Sequence, residues 1–404
     1  MPVQIESTTR SCDPGEAFER RQARPHLFIS RQTAMIKPLR DLRSLLAGLA
    51  IIVTLTACGG GSGSGSATPS SAVALNVVAT PNPNVFPLLV ALASNPNLPV
   101  KLLPVASSGD AASDLAGGTA DALLSMTYTA AQDVTGALVP DLELVSVNFW
   151  SGFWMVAPAS ANITQFSQLA GAGVLVSGPT SGGKGAGPDL IFQAAARRAG
   201  LSASSFQLCY VPVMQAAPML LQQQAMNTNS ACNGAYSSPP LAISLVEPAA
   251  TGLVMDSTTS TTPSGALTKA INFQALFTGY SAWPQSQLPH GGVSVRASAL
   301  ADSGKAGSVQ AILSAYRSAA DSIMAAKGNP AASMQIANVI SAGITTYYGQ
   351  FGLSLPASAI AAALNNGGMV FRTDLAISAV QPDLTSFLTE VVGTAPPSSF
   401  FHPL

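Results

Sequence analysis

Residues 100–126 read VKLLPVASSGDAASDLAGGTADALLSM. The apolar run 100–107 is a strand. Asp110 to Gly117 is a short helix, opened by Ser-Ser-Gly-Asp and closed by glycine. Residues 120–126, ADALLSM, form the next strand. A strand, a helix and a strand joined by tight Gly/Ser turns make one βαβ unit, which argues for a parallel sheet covered by helices.

The same alternation extends both ways. Upstream, LNVVAT (75–80) is a strand and Val85 to Ser94 a helix. Downstream, Thr129 to Leu138 is a helix, and LELVSVNFWSGFWMVAP (142–158) is one long β-rich run. A second round follows: a short helix at 165–169, a strand at 174–179, a helix at 188–199, a strand at 206–213, a helix at 216–224 and a strand at 241–245, with Glu247 starting another helix. Residues 227–240 are an inserted loop. Residues 256–290 are rich in Thr, Ser and Pro and carry no clear period. GGVSVRA (291–297) is a returning strand, and helices follow at 306–327, 331–348 and 356–365.

The fold class is therefore α/β in two lobes, each a mainly parallel sheet with flanking helices. The second lobe is set inside the first. Lobe 1 comprises 75–155 and 291–404, and lobe 2 comprises 156–290. The chain leaves lobe 1 near Trp150 and returns near Val293, a two-strand hinge suited to closure around a ligand.

The segment MIKPLRDLRSLLAGLAIIVTLTACGGG (35–61) has a different character. Lys37, Arg40 and Arg43 precede an apolar run, 45–55, that is shorter than the about 20 residues needed to span a bilayer. Basic, apolar and then small residues make a secretory signal. LTAC (55–58) resembles the bacterial lipobox, whose cysteine receives a diacylglycerol. A plain signal peptide or a stray membrane helix is the alternative. Residues 1–34 are a leader or a misassigned start, 35–57 the signal peptide and 58–74 a Gly/Ser tether. A flexible tether of about 16 residues has a root-mean-square span of roughly 20–24 Å. The chain is thus expected in the cell envelope, anchored through Cys58 to a membrane on its extracytoplasmic or periplasmic face; multiple acyl chains hold such an anchor stably.

Beyond residue 57, 10 of the 18 Lys and Arg and 14 of the 19 Asp and Glu remain, a net charge of −4. That balance offers no basic patch for nucleic acid. Cys12 lies in the leader and Cys58 is the anchor, which leaves Cys209 and Cys232. In an oxidising compartment a bridge between them closes a loop of about 24 residues, worth roughly 3.4 kcal/mol in loop-closure entropy. Two free buried thiols are the alternative.

Several stretches together resemble the type II periplasmic solute-binding proteins of ABC importers, in the nitrate/sulfonate/taurine-type branch. They are SSGDAASDLAGGTADALLSM (107–126), the crossover FWSGFWMVAP (149–158), ITQFSQLAGAGVLVSGPTSG (163–182), LAISLVEPAATG (241–252) and PPSSFFHPL (396–404). The resemblance spans roughly 75–404, and it rests on the order of these stretches. The 227–240 insert and the long polar 256–290 stretch depart from it. It implies a periplasmic-binding-protein fold, a monomer without cofactor or metal, and an ABC permease in the membrane as partner. The solute implied is a small anion or aromatic acid.

In open α/β sheets, ligands sit beyond the carboxyl ends of the strands. That rule selects Thr80, Asn82 and Asn84 after the first strand, and Ser107, Ser108 and Gly109 after the second. Tyr128 follows the third, and Ser177, Thr180 and Ser181 follow the first strand of lobe 2. Helix starts at SSGD and GPTSGGKG offer free N–H groups to anions, although Asp110 opposes one and plain capping also explains SSGD. GPTSGGKG is not a phosphate-binding loop, because Gly185 stands where Ser or Thr is required. Trp150 and Trp154, on one strand face, wall either the cleft or the core. Glu247 either binds a ligand amine or caps the helix at Pro248.

Catalysis has little to work with. His290 and His402 are the histidines beyond the leader, neither in a metal-spacing motif, and no G-x-S-x-G elbow occurs. A ligand-sensing lobe for a membrane partner and a lipid-tethered enzyme remain the rival readings.

Overall fold

The computed structural model describes residues 73–178, 183–232, 236–259 and 261–403. The leader, the signal segment, Cys58, the tether up to residue 72, Thr180 and Ser181 lie outside the described residues.

From the amino end run β1 (Leu75–Ala79), α1 (Phe86–Ser94), β2 (Val100–Pro104), α2 (Ser108–Ala116), β3 (Ala122–Met126), α3 (Thr127–Thr135) and β4 (Leu142–Ser151). Then come β5 (Phe153–Pro158), β6 (Gly173–Val176), α4 (Gly187–Arg198), β7 (Gln207–Tyr210), α5 (Val213–Leu221), β8 (Ala242–Val246), α6 (Ala249–Thr259) and β9 (Leu267–Asn272). The chain closes with β10 (Gly291–Arg296), α7 (Ala297–Ala301), α8 (Ser303–Ala325), α9 (Pro330–Tyr348), α10 (Ala357–Asn365), β11 (Val370–Phe371) and α11 (Ile377–Val392).

These strands form two sheets. One has the order β11-β4-β10-β3-β1-β2, the other β7-β6-β8-β5-β9. In the first, β1 lies parallel to β2 and β3, and β10 runs antiparallel between β3 and β4. In the second, β6 lies parallel to β7 and β8, and β5 runs antiparallel between β8 and β9. The inner strands β3 (ALLSM) and β6 (GVLV) are buried at every residue, as strands with both faces covered must be. Helices α1, α8 and α9 cover one face of the first sheet through Phe86, Ile312 and Ile340; α3 and α11 cover the other through Val134 and Phe387. In the second lobe α5 and α6 pack through Met219, Leu220 and Leu253 on one face, and α4 through Ile191 and Phe192 on the other.

The 142–158 run is not one strand. It breaks at Gly152, and its halves belong to different sheets. Gly152 has φ +146°, and a Cβ there would lie 2.6 Å from Phe149 Cζ. Only glycine makes this turn without strain. Trp150 and Trp154 therefore share no strand face. The other passage between sheets runs from β9 to β10 and lies beside the first: Leu288 N–H donates to Trp150 O at 2.7 Å, and Thr127 N–H to His290 O at 2.9 Å.

Three further features differ from the sequence expectation. The helix after Glu247 starts at Ala249. The polar 256–290 stretch hides the edge strand β9. Helix α11, with Pro382 inside it, reaches from the first lobe to α4 of the second. There Arg198 meets Glu390 through two N–O contacts of 2.5 and 2.8 Å, and Asp383 accepts from the N–H groups of Ser281 and Ala282 at 2.5 and 2.7 Å. Cys209 of β7 and Cys232 of the inserted loop are joined by a disulfide, with Cα atoms 4.8 Å apart, which pins the insert to the sheet edge.

Candidate functional site

The carboxyl ends of β1, β2 and β3 face those of β6 and β8 across a cleft. A cavity of about 60 Å³ lies between them. Thr80, Asn82, Ser107 and Ser108 line it from the first lobe, and Ser177 from the second. These five of the sequence-selected residues come together. Ser125, at the end of β3, and Thr129, in the first turn of α3, also line it. Sequence reasoning missed both, although each lies within three residues of the chosen Tyr128.

The lining side chains are not equally available. Asn82 donates from Nδ2 to Thr80 Oγ1 at 2.8 Å and accepts from Asn84 N–H at 2.9 Å. Ser107 and Asp110 form a reciprocal cap: Ser107 Oγ donates to Asp110 Oδ2 at 2.8 Å and accepts from Asp110 N–H at 3.2 Å. The capping reading of SSGD is the observed one. Ser177 Oγ donates to Val211 O at 2.9 Å. By contrast the hydroxyls of Ser108, Ser125 and Thr129 make no hydrogen bond among the described residues.

A second cavity of about 50 Å³ adjoins the first and shares Asn82, Ser177 and Val246 with it. Its walls are mostly apolar, with Phe86, Ile344, Leu353 and Leu355 from the first lobe and Leu245 from the second. Glu247 touches this space but is committed elsewhere. Its carboxylate is fully buried, pairs with Lys269 Nζ at 2.7 Å and accepts from Thr251 N–H at 3.1 Å. Among the two readings of Glu247, the helix-capping one is what the geometry displays.

Other sequence-selected residues stand apart from the cavity. Asn84 is fully buried and structural: it donates from Nδ2 to Ser125 O and Gly292 O at 3.1 and 2.7 Å, and Tyr316 Oη–H donates to its Oδ1 at 3.1 Å. Tyr128 is fully buried, its ring edge-on to His290 and Phe387 and its hydroxyl without a partner among the described residues. Trp150 is a core residue with no exposed surface. It packs on Trp283 at 5.6 Å and donates from Nε1 to Arg372 O at 3.3 Å. Trp150 is not part of the cavity lining. Gly109, the second residue of α2, lies outside the lining. Trp154 is half-buried, with Lys269 Nζ 4.8 Å from its ring centre. Lys184 lies 5.9 Å from the Tyr210 ring.

The lobes approach closely above the cavity. A Cβ on Gly187, at the start of α4, would meet Thr129 Oγ1 at 3.0 Å and both Met126 Cγ and Tyr128 Cε2 at 3.2 Å. All three neighbours are on the first lobe. The absence of a side chain at Gly187 is what admits this contact.

Below the cleft one carboxamide joins both passages between the lobes. With its amide turned so that the oxygen faces these donors, Gln274 Oε1 accepts from the N–H groups of Phe153 and Gly152 at 2.8 and 3.0 Å and from His290 Nε2–H at 2.9 Å. Burial lowers the His290 imidazole to about 3, so it is neutral at pH 7. Among the described residues no group of three or more His, Cys, Asp or Glu could hold a metal ion. No helix among them is long and apolar enough to cross a membrane.

No known protein-family profile matches the chain, and no curated protein matches its sequence. Solved structures do match its fold. The periplasmic aliphatic sulphonate binding protein of Escherichia coli superposes with a TM-score of 0.53 at 13% identity, covering 79% of this chain and 85% of that one. The alkanesulfonate-binding protein of Xanthomonas axonopodis pv. citri, solved bound to MOPS, gives 0.52 at 12% identity over 82% and 98%. A Candida albicans protein described as exhibiting the generic periplasmic binding protein structural fold gives 0.53 at 12% identity over 82% and 96%. The fold is that of the type II periplasmic binding proteins: two α/β lobes, mainly parallel sheets and a two-strand hinge.

Proposed function

We propose that the chain is the lipid-anchored solute-binding component of an ABC importer. A small solute enters between the lobes, closure about Gly152 and the 288–290 segment buries it, and the closed form docks on a permease. The observation that carries this reading is the gathering of Thr80, Asn82, Ser107, Ser108 and Ser177 at the facing strand ends of two lobes. Closure is a free-energy exchange: a ligand shifts the open–closed equilibrium only by its difference in affinity for the two states.

The test is a thermal-shift screen over sulfonates, nitrate, aromatic acids and pyrimidines, followed by X-ray scattering with the hits. A bound solute at 100-fold over its dissociation constant stabilises by about 2.7 kcal/mol. The expected outcome is a raised Tm together with a smaller radius of gyration. No compaction with any stabilising solute would refute closure.

A further inference from the structure

The interlobe space is not one chamber but three in line. The polar cavity meets the apolar waist through Asn82, Ser177 and Val246. The waist in turn shares Val213, Pro248, Ala249, Leu353 and Leu355 with an open groove of about 330 Å³. Along that groove α5 contributes Met214, Ala217 and Leu221, and α6 contributes Leu253. Met214 is 56% exposed.

Among the described residues, the lining of the polar chamber carries no ionisable side chain. Both helices whose first turns open here from capped or Gly-rich loops carry an acid: Asp110 in α2 and Asp189 in α4. Asp189 already accepts from Gly185 N–H at 2.8 Å and from Tyr210 Oη–H at 3.0 Å. These carboxylates cancel the helix-end field that would otherwise attract an anion. The start of α3 carries no acid, but Thr127 N–H there is committed to His290 O. Three hydroxyls, Ser108, Ser125 and Thr129, have no hydrogen-bond partner among the described residues and remain as neutral donors and acceptors. Farther along, Glu247 is neutralised by Lys269, and Asp256 stands in the lining of the outer groove.

Resting on the solute-binding reading, we infer that the ligand is a small amphiphile. An uncharged hydrogen-bonding head, a carboxamide or hydroxyl, sits among the three serine and threonine hydroxyls. A hydrocarbon tail runs through the Phe86–Leu245–Leu355 waist and out along the α5–α6 groove. Continuity of the lining selects the tail as the occupant of that groove. The inference departs from the sequence expectation of a small anion.

The experiment is calorimetric titration of the full chain carrying Cys58→Ser, so that no anchor lipid competes. The probes are butanamide, hexanamide and octanamide, with hexane-1-sulfonate and octane-1-sulfonate as the charged series. Affinity for the amides is expected to rise by about fourfold per methylene, the value for full burial of a CH₂. Sulfonates of equal length should bind more weakly. Met214→Gln, at an exposed position, should lower affinity for octanamide and leave butanamide unchanged. Sulfonates binding as tightly as amides would overturn the uncharged head. Affinity independent of chain length would overturn the tail. If neither series binds while another solute compacts the protein, the inference falls and the solute-binding reading stands. If no solute compacts it, that reading falls as well.

Discussion

The contact at Gly187 can be turned into a wedge. A Cβ there sits 3.0 Å from Thr129 Oγ1 and 3.2 Å from Met126 and Tyr128, and a leucine adds three more carbons toward the same wall. Gly187 lies on the second lobe at a helical position without positive φ, so its own lobe tolerates a side chain. The clash exists only while the lobes are together. Overpacking of this kind costs about 1–3 kcal/mol, and because the open form avoids it, the closed-to-open ratio falls by about 5- to 150-fold. The assay is scattering with a solute that compacts the parent. With that solute present, Gly187→Leu should keep a larger radius of gyration than the parent, with an unchanged far-ultraviolet spectrum. Gly307→Leu, where a Cβ meets nothing within 4 Å, is the control and should leave the radius alone. A Gly187→Leu protein as compact as the parent would refute the argument, because the interlobe wall would then yield without opening.

Burial raises the Asp133 carboxyl to about 7 and lowers the His290 imidazole to about 3. From about pH 4 to 7 the unfolded chain has lost a proton that folded Asp133 keeps, so stability falls as pH rises; from pH 6.5 down to about 3 the unfolded chain binds a proton that folded His290 does not, so stability falls as pH falls. The two slopes oppose each other, and Asp133→Asn should expose the second at up to about 1.4 kcal/mol per pH unit. Urea titrations at pH 4, 5 and 6 that show no steeper acid loss in the variant would count against it. Replacing Cys209 and Cys232 together by Ser should cost about 3 kcal/mol by loop-closure entropy, read by denaturant titration against the oxidised parent; equal midpoints would contradict that value. Cys58→Ser should release the protein from membranes on fractionation while leaving its thermal-shift profile unchanged, and a variant that stays in the membrane pellet would disprove the anchor.

Strand–helix alternation made β1 to β3 readable, because each turn is marked by Gly, Ser or Asn and each strand is apolar at all but one of its residues. The same rule that puts ligands at strand ends selected Thr80, Asn82, Ser107, Ser108 and Ser177, which line one cavity. It selects loops, however, and says nothing of where a side chain points. Asn84 and Tyr128 were chosen by position, and both turn inward. The break at Gly152 was hidden because Phe149-Trp150 and Phe153-Trp154 flank the short Ser151-Gly152 pair, so the run reads as one continuous β-rich stretch. Strand β9 (LTKAIN) escaped because an edge strand shows solvent on one side, and its Lys269 serves a buried carboxylate. Helix α11 carries Pro382 in its interior, where the pattern normally stops a helix.

The position of β10 governs how the molecule can be assembled. Val293 pairs with Leu124 on one side and with Ser146 on the other, so a strand synthesised after the whole second lobe is inserted between two made before it. The second sheet draws only on 153–272 and can form as soon as that stretch is available. The first sheet cannot. Until residue 296 arrives, β3 and β4 each present an unpaired edge, and unpaired edges invite intermolecular pairing. Pairings this distant in sequence also form slowly. On the exported route proposed above, the amino-terminal strands cross the membrane first and complete their sheet late. The insertion of β10 is thus the step at which a chaperone on the far side would have most to protect.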